Sequence, residues 1–488
     1  METVVQTRYG KVRGARANGV SAFLGIPYAA PPVGADRFGP PRPPEPWDGV
    51  RDATAYGPTA PKPAYAKPFN RLLPDPDIPG DDYLNLNVWT PGGEGLPVMV
   101  WIHGGAFRNG SGAVPTYDGT AFARDGVVCV TLNYRLGVEG FAYLPDAAAP
   151  ANRGLLDQIA ALEWVRDNIA AFGGDPERVT VFGESAGGMS VSTLLSLDLG
   201  LFHRAIAQSG AGNIAQTAED ALLVTKELAS RLGVDPTAEG FASLDPTAIL
   251  PVQSEVSAEV LSMADPSRWG ASTTGCGLAL SPVLDGDLLT RLPEDAVAAG
   301  AGRDVDLLTG YTTDEFRFFL TPFGGTAGIP EEADAFVAGG MGVPQEVIAG
   351  YRAAHPGANP GELLAMLITD HLFRVPAHRL AEAHGDRTWM YEFAWRSPNH
   401  DLGACHALEL AFVFDTLGKG GRSELTGPNP PQELATAMHR TWVDFAVHGD
   451  PGWPRFDPGT RPVKTFDGAG NPVVHDPRGA DRELWGAS

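Results

Sequence analysis

The sequence predicts an α/β protein: a doubly wound, mostly parallel central sheet carrying helical, cap-like insertions. Three observations point there. Short, β-rich apolar runs alternate with helical segments. A long helical segment stops at Gly173-Gly174-Asp175-Pro176 just before another strand-like run. Two glycine-rich turns directly follow strand-like runs, where sheets of this kind collect their functional groups.

In chain order, residues 98–102 (Val-Met-Val-Trp-Ile) and 127–132 (Val-Val-Cys-Val-Thr-Leu) read as buried strands, being continuously apolar and partly β-branched. Residues 156–172 read as a helix with Leu156, Ile159, Ala160, Val165 and Ile169 on its apolar face. Residues 179–182 form a strand and 186–195 a helix. Further strands are expected at 205–208, 305–308 and 389–393. The proline-rich stretch 31–80 reads as irregular loops, and so do the last ~30 residues, rich in glycine and proline. Residues 212–275 and 320–375 read as helical insertions that could cap the sheet. No repeat and no Gly/Ser linker divides the chain, so residues 1–488 are expected to form one domain.

Composition bounds the function. The chain has 488 residues, 43% apolar and 19% charged, enough to bury a large core. Its 60 glycines and 43 prolines stay below the share expected of low-complexity disorder. The net charge of −23 repels phosphate backbones and anionic lipid surfaces, which argues against nucleic-acid and membrane partners. Cys129, Cys276 and Cys405 are too few for a disulfide framework and lie at no zinc-ligand spacing. No basic start with a long apolar run opens the chain, and no stretch approaches the roughly 18 apolar residues of a membrane helix. A cytoplasmic protein is expected. Only six of the 36 basic residues are lysine, a bias that a GC-rich bacterial source would explain.

The sharpest local feature is Gly183-Glu184-Ser185-Ala186-Gly187, a G-x-S-x-G between strand and helix. That is the context of a nucleophile elbow, where small residues admit a tight turn and the helix start offers unpaired N–H groups. The plainer alternative is a glycine-rich turn whose serine caps the helix. A second signal, His103-Gly104-Gly105-Ala106-Phe107, follows the strand at 98–102. Small residues there can aim N–H groups at a tetrahedral oxyanion, so Gly105, Ala106 and Ala186 are the expected donors.

A serine nucleophile needs a histidine base and an acid to orient it, in the chain order serine, acid, histidine. After the strand at 305–308 come the adjacent carboxylates Asp314 and Glu315, between which spacing does not choose. His406 stands in a loop after the strand at 389–393 and ahead of a helix; His400 is the second candidate.

On these residues the chain resembles the type B carboxylesterases, the cholinesterase-like group of α/β-hydrolases that includes bacterial p-nitrobenzyl esterases. Residues 172–187 (Phe-Gly-Gly-Asp-Pro-Glu-Arg-Val-Thr-Val-Phe-Gly-Glu-Ser-Ala-Gly) carry the serine signature, and 81–91 look like the second signature. The likeness runs from about Tyr9 to Trp453 and is weakest in the two insertions. It implies the α/β-hydrolase fold and an acyl-serine mechanism with no metal and no cofactor. It also implies Ser185, Glu315 and His406 as the triad, Gly105, Ala106 and Ala186 as the oxyanion hole, and Ser209 as a buried supporting serine.

Three departures stand out. Tyr83 occupies the second signature's usual cysteine, Phe316 follows the acid where the family has glycine, and Ala407 does the same after the histidine. Phe107, Phe316 and Phe319 are expected in the acyl pocket, and Cys405 as an inert buried thiol. The expected activity is carboxylic ester hydrolysis with an acid limb near the histidine pKa of roughly 6–7. An amidase or carbamate hydrolase on the same triad is the alternative. A non-catalytic binding module is a further one, disfavoured because all three triad residues are present. The partner expected is a small-molecule ester; oligomeric state is not legible, with a monomer the default.

Overall fold

The computed structural model describes residues 2–419 and 424–486. Among them thirteen strands join in one mixed sheet. Its parallel block runs Val128–Leu132, Leu96–Ile102, Gly174–Glu184, Arg204–Gln208, Asp306–Thr312, Thr388–Phe393 and Pro462–Phe466. Antiparallel strands, beginning with Asn85–Thr90, extend one edge, and Val473–His475 extends the other. The chain leaves Leu96–Ile102 to form its neighbour on one side, then crosses to form Gly174–Glu184 on the other. The strand order therefore reverses there, opening a crevice at the carboxyl ends of these two strands. Ile102 pairs with Gly183, so the loops that follow both strands emerge side by side.

Alternation along the strands divides the core. Val98, Val100 and Ile102 pack into the apolar layer on one face, and Met99 and Trp101 into the layer on the other. The apolar runs are continuous because helices cover both faces. Arg135 and Asp157 are buried with 0% side-chain exposure each. Three hydrogen bonds of 2.7–2.9 Å join them, through the Arg135 main-chain N–H, Nε and Nη2.

Several boundaries differ from expectation. The helix expected at 156–172 spans Arg153–Asn168 and tightens into a 3-10 turn, Ile169–Phe172, stopped by Gly173 at φ 90°. The next strand begins at Gly174 because Leu96 pairs with it across a register shift. The C-terminal stretch is not irregular: Pro462–Phe466, Val473–His475 and the helix Gly479–Glu483 occupy it. These elements are short, and their pattern is visible only against the strand they extend. Stretch 31–80 is mostly irregular, with the strand Val50–Asp52 and the helix Phe69–Leu72 within it. Both insertions are helical, the first including Ala218–Leu232 and Pro246–Ser262, the second Ala333–Gly340, Gln345–Ala354 and Pro360–Thr369. Among the described residues no helix is long and apolar enough to cross a membrane.

Candidate active site

Ser185 caps the helix Ala186–Leu195 at φ 57°, ψ −125°, a left-handed geometry rare for any residue but glycine. Two hydrogen bonds hold it there: its N–H donates to Gln208 O (3.0 Å), and its carbonyl accepts from Met189 N (2.8 Å). The turn tolerates no bulk, since a Cβ on Gly187 would lie 2.0 Å from Ile102 O. Among its neighbours Glu184, Ala186, Gly187 and Gly188, all buried, Ser185 alone is half-buried.

The loop after Leu96–Ile102 meets this elbow. A Cβ on Gly104 would lie 3.0 Å from Ser185 Cβ and 2.6 Å from Glu184 O, so only glycine permits the approach. Gly105 (φ 113°), Ala106 (φ 55°) and Phe107 (φ 57°) turn the backbone through positive φ. Among the described residues, the N–H groups of Gly105, Ala106 and Ala186 donate to no protein acceptor, leaving them free for a ligand. His103 steadies the turn: it stacks on Tyr134 at 4.5 Å and bonds Gly104 O at 2.8 Å. Burial drops its pKa to about 3, so it stays neutral.

The base and acid come from two other strand ends. His406 Nδ1 donates to Glu315 Oε2 at 2.6 Å. Glu315, 0% exposed, is fixed in turn by the Thr312 N–H on Oε1 at 2.8 Å. The structure separates the two adjacent carboxylates that spacing could not. Asp314 accepts from Arg396 (2.7 Å) and from the Ala404 N–H (2.9 Å), bracing the histidine loop from outside. His400 lies apart, exposed and 3.5 Å from Glu424.

Two further carboxylates, not anticipated from the sequence, enclose the imidazole. Glu184 Oε1 stands 3.1 Å from His406 Nε2, while Ser185 Oγ makes no hydrogen bond with any described residue. Glu409, one turn beyond His406, is fully buried and accepts from Gln208 Nε2 at 3.1 Å. Burial, then the other carboxylates, push Glu409 up to about 8; burial likewise lifts Glu184 to about 7 despite the imidazole beside it. Burial alone would lower His406, but Glu184, Glu315 and Glu409 outweigh it and hold the imidazole up at about 9. The expected value near 6–7 is corrected upward, because the cage of carboxylates was invisible in one dimension. An acid in the G-x-S-x-G and another three residues past the histidine were the available signals.

The aromatic expectations divide. Phe107 is corrected: it is fully buried and packs on Phe141 at 4.7 Å, as core. Phe316 is also buried, its ring 5.3 Å from Phe319 and its N–H bonded to Thr369 Oγ1 at 3.1 Å. Phe319 lies 5.3 Å from the His406 ring, joined by the unanticipated Phe373 at 5.0 Å. Ala407 sits at φ 64°, where the family's glycine is at ease; a Cβ there costs about 1 kcal/mol. Cys405 is buried, and burial pushes its thiol well above the ordinary range. Ser209 is buried, its N–H on Gly310 O at 2.8 Å. Among the described residues no group of three or more His, Cys, Asp or Glu is arranged to hold a metal ion.

Comparison with known proteins identifies the family. The model of the carboxylesterase family matches residues 1–472. The para-nitrobenzyl esterase of Bacillus subtilis is 41% identical over 98% of each chain. The phenmedipham hydrolase of Pseudarthrobacter oxydans is 34% identical over 97% of each. A solved carboxylesterase of Geobacillus stearothermophilus superposes with a TM-score of 0.85 at 38% identity, covering 99% of this chain and all of that one. A PNB esterase structure gives 0.86 at 35% identity, with both chains fully covered.

Proposed function

This chain belongs to the carboxylesterase family and is a serine carboxylesterase of α/β-hydrolase fold, and from that premise we propose how its own residues divide the work. Ser185 Oγ attacks the ester carbonyl carbon as His406 Nε2 takes its proton. Glu315 holds the imidazole through Nδ1 and stabilises the imidazolium. The N–H groups of Gly105, Ala106 and Ala186 receive the oxyanion. Collapse expels the alcohol, which leaves with the proton from His406. Water then attacks the acyl-serine with His406 again as base, releasing the acid and restoring Ser185.

The observation that carries this assignment is the buried 2.6 Å Glu315–His406 pair beside an elbow whose serine is more exposed than its buried neighbours. Because Nε2 rests against Glu184, the imidazole turns from that carboxylate towards Ser185 when substrate arrives; such bonds commonly tighten only in the complex. The test is a p-nitrophenyl ester series with wild type and Ser185→Ala, beside a p-nitroanilide of one acyl group. Turnover confined to esters and absent in the variant supports the reading. Turnover surviving in the variant, or a wild type that a fluorophosphonate fails to label, overturns the nucleophile.

The whole chain is proposed as one catalytic unit, supported by a sheet whose strands run from Glu2 to His475. A bacterial source, a reducing cytoplasm and a monomer are proposed with it. Three buried, unpaired cysteines support the compartment.

A further inference from the structure

We propose that Asp75, paired with Lys62, is a positioning residue for ester hydrolysis: through Asn109 it clamps the Gly105–Ala106 peptide and keeps the Ala106 N–H aimed at the oxyanion. The inference rests on the reading of Ser185 as nucleophile and of Gly105, Ala106 and Ala186 as oxyanion donors.

The Gly105–Ala106 peptide has its carbonyl occupied and its N–H free. Gly105 O accepts from Asn109 N at 2.9 Å and from Arg108 N at 3.1 Å. In a planar trans peptide the carbonyl and the following N–H point in opposite directions, so fixing Gly105 O fixes where the Ala106 N–H points. The approach is close, since a Cβ on Gly105 would lie 2.3 Å from Asn109 O. The aim of this donor therefore follows the position of Asn109.

Asn109 is buried and held from the proline-rich stretch. Its Nδ2 donates to Pro63 O at 2.6 Å and to Asp75 Oδ2 at 3.3 Å, and the same carboxylate oxygen accepts from Gly110 N at 3.4 Å. Asp75 Oδ1 pairs with Lys62 Nζ at 2.9 Å, their side chains 6% and 3% exposed. That ammonium also donates to Pro76 O at 2.7 Å and to Gly110 O at 3.4 Å, so it ties the stretch to the end of the oxyanion loop. A buried ion pair adds little net stability over apolar side chains of the same shape, but it enforces one geometry. One geometry is what an oxyanion donor needs, because a preorganised N–H costs nothing to reorient as charge develops. The other loop peptide, Gly104–Gly105, is held separately by His103 Nδ1 on Gly104 O at 2.8 Å. The clamp thus acts on one donor of the three.

The variants are Asn109→Ala, which leaves the Lys62–Asp75 pair in place, and Asp75→Ala. Each is assayed for kcat and KM on p-nitrophenyl butyrate, with active sites counted by fluorophosphonate labelling run to completion. Each is also inhibited with 1,1,1-trifluorooctan-2-one and with octan-2-one. On the fluoroketone Ser185 Oγ adds to the carbonyl carbon, the serine proton passes to His406, and the carbonyl oxygen becomes an oxyanion; octan-2-one offers the same chain without that addition. In both variants kcat is expected to fall about tenfold or more with KM within about twofold. The Ki of the fluoroketone should rise by the same factor as kcat falls, and that of octan-2-one should stay in place. A merely structural role would lower the active-site count or Tm and leave the ratio of the two Ki values unmoved. That ratio unchanged in Asn109→Ala overturns the clamp, whether or not Asp75→Ala folds. A wild type that binds the fluoroketone no more tightly than octan-2-one overturns the reading of Ser185 and its oxyanion donors instead.

Discussion

His406 Nε2 faces Glu184 Oε1 at 3.1 Å, so the proposed base rests against a carboxylate instead of the serine it must deprotonate. That carboxylate belongs to the residue preceding the nucleophile, and the elbow therefore helps to set the proton affinity of its own base. A neutral imidazole is the active form, and the surrounding carboxylates favour the protonated one up to about 9. Activity should accordingly rise with pH along a limb lying above the ordinary imidazole value. In Glu184→Gln the limb should move down towards 6.5, in the pH profile of kcat/KM. A limb unmoved by the substitution would show that Glu184 does not govern the base.

Glu409 predicts a pH-dependent stability. Its Oε2 is buried without a hydrogen-bond partner among the described residues, and its folded pKa is raised to about 8 from an ordinary 4.5. A raised folded pKa gives a contribution fully present below 4.5 and lost as pH rises through about 8. Glu409→Gln keeps the shape without the ionisation. Its Tm should exceed the wild-type value at pH 9 by more than it does at pH 5.

Removing Ser185 as Ser185→Ala should cost on the order of 10⁴–10⁶ in kcat while leaving the thermal transition nearly in place. Glu315→Gln should cost about 10³–10⁴, because an amide no longer favours the Nδ1–H tautomer. Both are read from steady-state ester hydrolysis beside circular dichroism.

The approach of the two loops makes Gly104 sensitive to a single carbon. In Gly104→Ala the new Cβ meets Glu184 O at 2.6 Å and must displace the elbow or the oxyanion loop. A displacement of an ångström at reacting atoms costs on the order of 10²-fold in kcat. Wild-type turnover in this variant would show that the contact relaxes elsewhere.

Away from the site, Asp157→Asn should destabilise the protein by about 3–5 kcal/mol, measured by urea denaturation. The substitution removes the charge opposite Arg135 and leaves a buried guanidinium uncompensated, since both side chains are 0% exposed. A change below about 1 kcal/mol would mean that the carbonyls of Arg37 and Gly39, which accept from Arg135 Nη1, suffice.

Much was legible in one dimension, because it rests on local rules. Continuous apolar runs at 98–102 and 127–132 announced strands covered on both faces, and alternation then sent neighbouring residues into opposite layers. The glycines of the elbow and of the His-Gly-Gly loop follow from backbone crowding, which is written into those few residues. Ser185, Glu315 and His406 were named on a family resemblance, and the helix Ala186–Leu195 was bounded by its own sequence. What the tertiary structure alone decided depends on groups far apart in the chain. Packing placed Glu184 and Glu409 around His406, and moved Phe107 from the pocket into the core. Proton affinity and pocket shape sum over neighbours in space, and residues 184, 315, 406 and 409 become neighbours only when the sheet brings its strand ends together.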